Sequence, residues 1–390
     1  MARILRIVPS SQTRIRPHKL DQGVTCEYKV LETDDGETLV HLSTFGSNQR
    51  ESDPKSSQSM QFDREHAAEL IELLTKAFDS DIDVDDDEDS DIEPEVPDAS
   101  EKLAKDLFVP QSWLQQCIDL LRDRPQLIFY GPPGTGKTYI AKAIAEHLSG
   151  PGHVKVVQFH PSYSYEDFFE GFRPSRSVDG KITYEVHFGP LRQLAREARE
   201  NPDKLYTLVI DEINRGNVAK IFGELYFLLE YRDSRLSLMY SSKPKSTFKL
   251  PKNLVIIGTM NTADRSIALL DSAMRRRFAF VSLHPSEEPT KNVLRQWLSS
   301  KGYDSEAADI MDNLNSVIED EDFKIGPSYF MRPAALTPAG IEMTWRTSII
   351  PLLEEYHFGD SNVSVREKYS LKKIRNGVNG VTGSDEDASE

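Results

Sequence analysis

One eight-residue stretch has the residue types and spacing of a phosphate-binding loop. Its members are Gly131, Pro132, Pro133, Gly134, Thr135, Gly136, Lys137 and Thr138. The glycines allow consecutive backbone N–H groups to turn toward an anion at the start of a helix. Lys137 can then reach the β- and γ-phosphates of a nucleotide, and the Thr138 hydroxyl can ligate Mg²⁺. The stretch predicts binding of a nucleoside triphosphate, in preference to a plain turn between packed elements.

Two acidic side chains follow a strongly apolar segment. The run Leu205–Ile210 predicts a central parallel strand buried on both faces, and it ends at Asp211 and Glu212. Ligands of open α/β sheets bind at the carboxyl ends of such strands. We expect Asp211 to hold Mg²⁺ through water, and Glu212 to orient or deprotonate the attacking water.

A polar strand end and an arginine cluster complete the candidate site. Asn261 follows the predicted buried strand Asn253–Gly258, and we expect it to touch the γ-phosphate or the attacking water. Further on, Arg275, Arg276 and Arg277 follow the predicted helix Ile267–Met274. These arginines either form a solvated cap that complements the helix dipole or, in an oligomer, reach the neighbour's γ-phosphate as an arginine finger.

The elements that position these residues alternate between strands and helices. We predict five strands at Leu127–Tyr130, His153–Phe159, Leu205–Ile210, Asn253–Gly258 and Phe278–Leu283, with helices at Gln111–Arg122, Tyr139–Leu148 and Leu191–Arg199. This pattern is typical of an α/β fold with a parallel sheet. Asp179-Gly180 predicts the turn of an inserted hairpin between Ser175–Val178 and Lys181–Phe188. Downstream, helical patterns occur at Thr290–Ser300, Ser305–Ile318 and Ile341–Tyr356.

The first 78 residues predict a small α+β module. Strands are expected at Leu5–Val8, Val24–Leu31, Thr38–Thr44 and Ser59–Phe62, forming an antiparallel sheet, and Asp63 is the expected N-cap of a helix through Phe78. The order of these elements around Gln61-Phe62-Asp63 resembles single-strand-binding domains of the positive transcriptional cofactor type. The module is also rich in Lys and Arg, so that it either binds a nucleic-acid backbone or presents a solvated face for docking a protein.

Charge and composition set bounds on the remaining chain. The net charge of −16 arises largely from Asp79–Glu101, where thirteen carboxylates occur without Lys or Arg. Such a block predicts a flexible linker, and the rest of the chain is close to neutral. Cys26 and Cys117 form no metal-ligand pattern and are expected to be reduced thiols. With no apolar run long enough to span a membrane, the sequence predicts a cytoplasmic protein.

Several of these motifs together resemble one family. Gly131–Thr138, Asp211–Arg215 and the signature Met260–Ser266 resemble the McrB family, the AAA+ motors of modification-dependent restriction systems. Phe159–Asp167 and Leu269–Phe278 are similar to that family as well. The resemblance extends over about residues 111 to 356.

The resemblance implies a fold, an activity and partners. It implies an AAA+ P-loop NTPase fold, with a parallel sheet, a helical lid and a ring, usually a hexamer, with nucleotide between subunits. It implies GTP in preference to ATP, with Asn261 and Asp264 carrying the signature role. It also implies DNA as substrate and a separate nuclease subunit of the McrC type. The N-terminal module departs from the family's methylcytosine-reading domain, which leaves the recognised DNA open.

The expected domain division and two alternative functions follow. We expect an N-terminal module at 1–78, an acidic linker at 79–102, an α/β nucleotide-binding domain at 103–288, a helical lid at 289–358 and a flexible tail at 359–390. The leading hypothesis is an NTP-hydrolysing motor that translocates or remodels DNA. The alternatives are a protein-remodelling chaperone resembling the MoxR type and a nucleotide-gated scaffold that scarcely hydrolyses.

Overall fold

The computed structural model divides the chain into two compact units, Met1–Glu88 and Asp89–Glu390. It describes residues 2–8, 26–33, 36, 38–45, 56–79, 94–176, 182–240, 247–263, 272–360 and 362–377. Within these residues, no helix is long and apolar enough to cross a membrane.

The first unit is a four-stranded sheet followed by one helix. Its elements are β1 (Ala2–Arg3), β2 (Cys26–Glu32), β3 (Thr38–Phe45), β4 (Ser56–Phe62) and α1 (Arg64–Asp79). The strand order is β1-β4-β3-β2, in which β2, β3 and β4 are antiparallel and β1 lies parallel to β4. The predicted first strand at Leu5–Val8 and the purely antiparallel sheet are therefore wrong. Leu5 and Val8 are 81% and 61% exposed, so these apolar side chains do not contribute to a core.

Asp63 begins the helix, as the sequence predicts. Its Oδ1 accepts a hydrogen bond from the backbone N–H of His66 at 2.9 Å, and this contact satisfies one of the free donors in the first helical turn. The His66 ring nitrogens lie 2.6 Å from Asp63 Oδ1 and 2.9 Å from the carbonyl oxygen of Leu5. The histidine thus links the start of α1 to the chain that follows β1.

The second unit contains the predicted parallel sheet. Its strands are β5 (Gln126–Gly131), β6 (Val154–Gln158), β7 (Glu170–Arg176), β8 (Ile182–Phe188), β9 (Tyr206–Asp211), β10 (Leu236–Ser237), β11 (Thr247–Phe248), β12 (Leu254–Asn261) and β13 (Ala279–Ser282). Five of them form the main sheet in the order β13-β5-β12-β9-β6, and every neighbouring pair is parallel. The order places β12 between the phosphate-loop strand and the strand that ends at Asp211.

Helices cover both faces of this sheet. They are α2 (Glu101–Leu107), α3 (Gln111–Asp123), α4 (Lys137–Ser149), α5 (Tyr165–Phe168), α6 (Pro190–Glu200), α7 (Val218–Phe222), α8 (Leu225–Leu228) and α9 (Ser272–Arg277). Side chains of β5 alternate between the two faces: Ile128 belongs to the core under α6, whereas Leu127 and Phe129 belong to the core under α3 and α4. The strand is therefore buried on both sides, as its continuous apolar sequence indicates.

The predicted hairpin is present. Strands β7 and β8 pair antiparallel from Glu170↔Phe188 to Arg176↔Ile182, between α5 and α6. Its predicted turn at Asp179-Gly180 lies outside the described residues.

The boundaries of the expected linker differ from those observed. Residues 94–102 belong to the second unit, where Ala99 is buried and Asp98 forms an ion pair with Arg122 at 2.6 Å. Ser100 caps α2 by accepting the backbone N–H of Leu103 at 3.2 Å. The like-charge argument is wrong for this segment, because Asp98 is bound by Arg122 and Gln115 on α3 and Glu101 pairs with Lys105 on α2.

A helical lid follows the sheet. It consists of α10 (Val293–Lys301), α11 (Glu306–Val317), α12 (Pro338–Thr344), α13 (Ile350–Tyr356), α14 (Val365–Lys368) and α15 (Leu371–Arg375), with a π-helical turn at Trp345–Ile349. The predicted tail from residue 359 is wrong up to Arg375. Tyr369 and Ile374 are buried in the lid core, and Tyr369 accepts the indole N–H of Trp345 through its backbone oxygen at 2.9 Å.

Candidate nucleotide site

The phosphate loop joins the end of β5 to the start of α4. Gly131, Gly134 and Gly136 have φ values of 147°, 79° and 88°, a region that side chains other than glycine rarely adopt. A Cβ on Gly131 would also clash with the backbone oxygen of Leu283 in the neighbouring chain segment. The loop therefore takes a shape that these residue types permit, with the first turn of α4 directly behind it.

Lys137 is buried inside this loop. The residue is only 6% exposed. Its ammonium group donates hydrogen bonds to the carbonyl oxygens of Gly131 at 3.0 Å and Pro132 at 2.7 Å. A charged group at this depth is stabilised because carbonyl dipoles surround it. The positive charge is thereby kept at the loop that would receive the phosphates.

The register of the strands brings Asp211, at the end of β9, next to the phosphate loop. In the sheet, Gly258 pairs with Ile210 and Asn261 pairs with Gly131. Asp211 Oδ1 accepts a hydrogen bond from the Thr138 hydroxyl at 2.6 Å. The two predicted Mg²⁺ ligands, 73 residues apart in sequence, are thus in direct contact.

Glu212 lies beside Asp211 in an unusual backbone conformation. Its φ is 53°, a left-handed value that a non-glycine residue adopts only when its surroundings hold it there. The amide of Asn261 donates to Glu212 Oε1 at 2.5 Å, and Arg215 Nε lies 3.5 Å from Oε2. The Asn261 amide and the Arg215 guanidinium therefore hold the carboxylate at the carboxyl end of β9.

Thr259 is a site residue that the sequence analysis missed. Its hydroxyl donates to Asp211 Oδ1 at 2.6 Å and accepts the backbone N–H of Glu212 at 3.3 Å. Side chains two residues apart on a strand share a face, so the placement of Asn261 would have pointed to Thr259. Asn214, also missed, donates its amide to the backbone oxygen of Asn261 at 3.2 Å.

The lid contacts the phosphate loop through its backbone. The N–H groups of Gly326 and Ser328 donate to the carbonyl oxygens of Pro133 and Gly134 at 3.1 and 3.0 Å. A Cβ on Gly134 would lie 2.6 Å from the ring of Tyr329. Burial raises the pKa of Tyr329, which keeps its phenol neutral. The lid segment 326–329 therefore packs directly on the phosphate loop.

The donor atoms at this site fit Mg²⁺ bound together with a triphosphate. A threonine hydroxyl and one carboxylate offer hard oxygen ligands, and Mg²⁺ typically takes one or two carboxylates plus phosphate oxygens and water. No group of three or more His, Cys, Asp and Glu suited to a metal occurs among the described residues. Thr138 and Asp211 are the residues here that match this mode of binding.

The arginine cluster does not lie at this site. Arg276 and Arg277 end α9, and the following strand begins opposite Leu127, at the start of β5, whereas the phosphate loop is at its end. The six residues of β5 rise roughly 3.3 Å each. The length of this strand therefore separates the arginines from their own phosphate loop. Asp264 lies outside the described residues.

Comparisons with known proteins define the class of the chain. Residues 126–278 match the family model of the AAA domain of the dynein-related subfamily, and residues 306–364 match the McrB alpha-helical lid domain. With its parallel sheet and phosphate loop, the chain is a P-loop NTPase of the AAA+ class. Within that class it belongs to the McrB family, which confirms the resemblance inferred from its motifs.

Individual relatives extend this result. The chain is 37% identical over 287 residues to the Type IV methyl-directed restriction enzyme EcoKMcrB subunit of Escherichia coli (strain K12), covering 67% of this chain and 60% of the relative. It is 27% identical over 262 residues to the Type II restriction enzyme BsuMI component YdiS of Bacillus subtilis (strain 168), covering 56% and 76%. It is 24% identical over 280 residues to human Neuron navigator 2, covering 65% and 10%. The chain is thus related to components of restriction systems.

Proposed function

We propose that this protein hydrolyses a nucleoside triphosphate, with GTP favoured over ATP, as the ring-forming motor of a restriction or phage-defence system. The observation that carries the proposal is the contact of Asp211 with both Thr138 and Thr259, beside a Glu212 held by Asn261. This arrangement combines phosphate binding, metal binding and a carboxylate, Glu212, that can act on water, all at the carboxyl ends of the central strands. A scaffold that only binds nucleotide has no need of the last of these.

The phosphate loop and its neighbours bind the triphosphate in this proposal. Backbone N–H groups of Gly131–Thr138 surround the phosphates at the positive end of α4. Lys137 exchanges its two carbonyl partners for phosphate oxygens. Thr138 and Asp211 would hold Mg²⁺, which when bound neutralises charge that develops on the phosphates.

Glu212 and Asn261 act on the attacking water. The Glu212 carboxylate accepts a proton from the water or orients it, and the Asn261 amide fixes the direction of that carboxylate. Asp264 is assigned to the same signature by the family resemblance alone.

The arginines act on a neighbouring subunit. Arg276 and Arg277 lie near the amino-terminal end of β5, whereas their own phosphate loop follows its carboxyl end. They are therefore directed away from their own nucleotide. In a ring, expected to be a hexamer, the exposed Arg276 would lie against the next subunit's γ-phosphate, where an arginine changes hydrolysis rates by orders of magnitude, whereas Arg277 is paired with Glu230.

The substrate and partners follow from the relatives. Two relatives are named as parts of restriction enzymes, which favours DNA as the remodelled substrate and a separate McrC-type nuclease subunit as partner. The N-terminal module, distinct in predicted character from a methylcytosine reader, would contact nucleic acid or dock a protein. A cytoplasmic location belongs to the same proposal. The relatives do not favour the alternative of a MoxR-like chaperone.

The test is steady-state hydrolysis of GTP and ATP, each with and without single- and double-stranded DNA. We expect turnover of GTP to exceed that of ATP, and Glu212→Gln to abolish turnover while nucleotide binding persists. Equal turnover by Glu212→Gln would overturn the assigned chemistry. ATP preference, with turnover that responds to proteins but not to DNA, would support the chaperone instead.

A further inference from the structure

Two side chains, Arg124 just before β5 and Gln126 at its first residue, hold the end of α9. The Arg124 guanidinium donates to the backbone oxygen of Arg276 at 2.6 Å, and the Gln126 amide donates to that of Arg277 at 2.9 Å. Oxygens in the last turn of a helix have no partner within the helix, so side chains from elsewhere can satisfy them. These contacts therefore hold the last turn of α9 against the start of β5.

Gln126 is itself fixed on all sides. It is 2% exposed, its amide nitrogen also donates to Leu229 O at 2.6 Å, and its Oε1 accepts from Arg232 at 2.8 Å. Arg232 also donates to the backbone oxygens of Pro251 and Leu254 at 3.1 and 3.0 Å, and burial lowers its pKa to about 9. These partners leave one orientation for the Gln126 amide, so the support under α9 is rigid.

The two arginines at the end of α9 have different surroundings. Arg277 forms an ion pair with Glu230 at 2.6 Å, lies over the ring of Tyr226 and is largely buried. The side chain of Arg276 is exposed, while its backbone oxygen is bound by Arg124. Arg276 is therefore the member of the pair that is presented outward from a fixed backbone.

We propose that Arg124 and Gln126 are positioning residues for Arg276, holding its backbone so that the guanidinium reaches the neighbouring subunit's nucleotide. This inference rests on the trans action proposed above. Displacing a catalytic group by about 1 Å can cost up to roughly a hundredfold in rate, so the anchoring contacts matter as much as the charge. Because β5 carries Gln126 at one end and the phosphate loop at the other, the same strand serves two active sites.

Arg124→Ala is the primary test, because Arg124 is only half-buried and its removal leaves no buried charge. We expect kcat to fall by about ten- to a hundredfold while KM for the nucleotide is unchanged, since the variant's own binding site is intact. Arg124→Lys keeps a donor for Arg276 O and should recover most of the rate. Arg196→Ala, on an arginine that is half exposed and pairs with Glu200, is the matched control and should turn over like the parent.

A mixing experiment separates positioning from a general structural role. Lys137→Ala subunits cannot turn over but carry intact arginines, so an excess of them mixed with Arg124→Ala before nucleotide is added should raise turnover per Arg124→Ala subunit by about tenfold. Unchanged kcat of Arg124→Ala would overturn the proposal. A reduced kcat that the mixture does not restore would also overturn it, because the defect would then lie within the variant's own site.

The same mixture made with Arg276→Ala distinguishes this inference from the proposed function. If the mixture restores turnover to Arg276→Ala, while Arg124→Ala alone has the kcat of the parent, only the positioning role is rejected. No recovery with Arg276→Ala at any ratio rejects trans action by Arg276, and the positioning role falls with it. Gln126→Met, measured alongside, should repeat the Arg124→Ala result if it folds with the parent's circular dichroism.

Discussion

The side-chain amide of Asn261 lies 2.5 Å from the carboxylate of Glu212, joining the ends of two adjacent parallel strands. Glu212 follows its strand in a left-handed backbone conformation. The Asn261 amide orients its carboxylate at Oε1, and Arg215 lies 3.5 Å from Oε2. This contact explains how a polar residue at the end of β12 serves chemistry assigned to the end of β9.

Replacing Asn261 with Ala should impair hydrolysis more than binding. Without the amide, Glu212 loses the contact that aims it at water, and we expect kcat to fall by about a hundredfold, in the range of general acid–base effects. The nucleotide Kd should change by less than about threefold, because the phosphate loop is untouched. Turnover and fluorescent-nucleotide titration measure the two quantities.

The matched control for this substitution is Asn292→Ala, whose amide donates to the exposed Glu288 in the lid. It should leave both quantities at the parent's values. A loss of binding equal to the loss of turnover in Asn261→Ala would show that Asn261 acts on the bound nucleotide and not through Glu212.

Thr259→Val should alter the response to Mg²⁺. Valine keeps the shape of the side chain but removes the hydroxyl that donates to Asp211 and accepts from Glu212 N–H. We expect half-maximal turnover to need several times more Mg²⁺, and the free energy of unfolding to fall by about 1–3 kcal/mol because both hydrogen bonds of the hydroxyl are lost. Turnover against Mg²⁺ concentration and thermal unfolding give both values. An unchanged Mg²⁺ dependence would mean that Thr259 only stabilises the fold.

The sequence predicts those parts of the site that depend on local chemistry. Gly131–Thr138 and Asp211 are recognisable because phosphate and Mg²⁺ require particular residue types at the ends of strands. Thr259 escaped notice because threonine is an ordinary strand residue, and only pairing with β9 gives its hydroxyl a partner. The remote position of Arg276 likewise depends on strand order, which no local pattern contains.

The boundaries of the fold were predicted less well where long-range contacts decide them. Asp98 belongs to an acidic block that predicts a linker, yet Arg122 and Gln115 on α3 bind its carboxylate. That partnership lowers the pKa of Asp98. Tyr369 lies in a segment with mixed charge, but it fills the lid core. In both cases the partner is distant in sequence, so composition gives the wrong answer.

Gly326→Ala should weaken nucleotide binding from a position in the lid. Its Cβ would clash with the backbone of Gly134, forcing the lid segment off the phosphate loop and breaking the Gly326 N–H bond to Pro133. We expect the nucleotide Kd to rise by about tenfold, or 1.4 kcal/mol. Gly152→Ala is the control, because nothing lies within 4 Å of its added Cβ. If Gly326→Ala binds nucleotide like the parent, contact between lid and loop is dispensable for binding.

The contact of His66 with Asp63 predicts a pH dependence in the N-terminal module. The hydrogen bond to Asp63 and the backbone oxygen of Leu5 raise the pKa of His66 above 6.5, with the Glu65 charge acting in the same direction. Contacts with His66, helped by Arg3, lower the pKa of Asp63 from 3.8 to about 2. Both shifts favour the charged pair in the folded module.

The signs of these shifts define the pH range of greatest stability. The contribution of His66 is complete below pH 6.5 and is lost as the pH rises through its higher folded pKa. The contribution of Asp63 is complete above about pH 4 and is lost as the pH falls toward 2. We therefore expect the contact between α1 and Leu5 to be strongest between about pH 4 and 6.5 and to weaken as the pH rises through the raised folded pKa of His66.

Hydrogen exchange of the intact protein tests this expectation. Amides of residues 2–8 should exchange more slowly at pH 6 than at pH 8.5 after correction for intrinsic rates. In His66→Gln, which cannot take a proton, protection of the same amides should no longer depend on pH. The peptide 206–211 of the buried central strand serves as the internal reference. Equal pH dependence in the parent and in His66→Gln would assign the effect to another group and reject the role of this histidine.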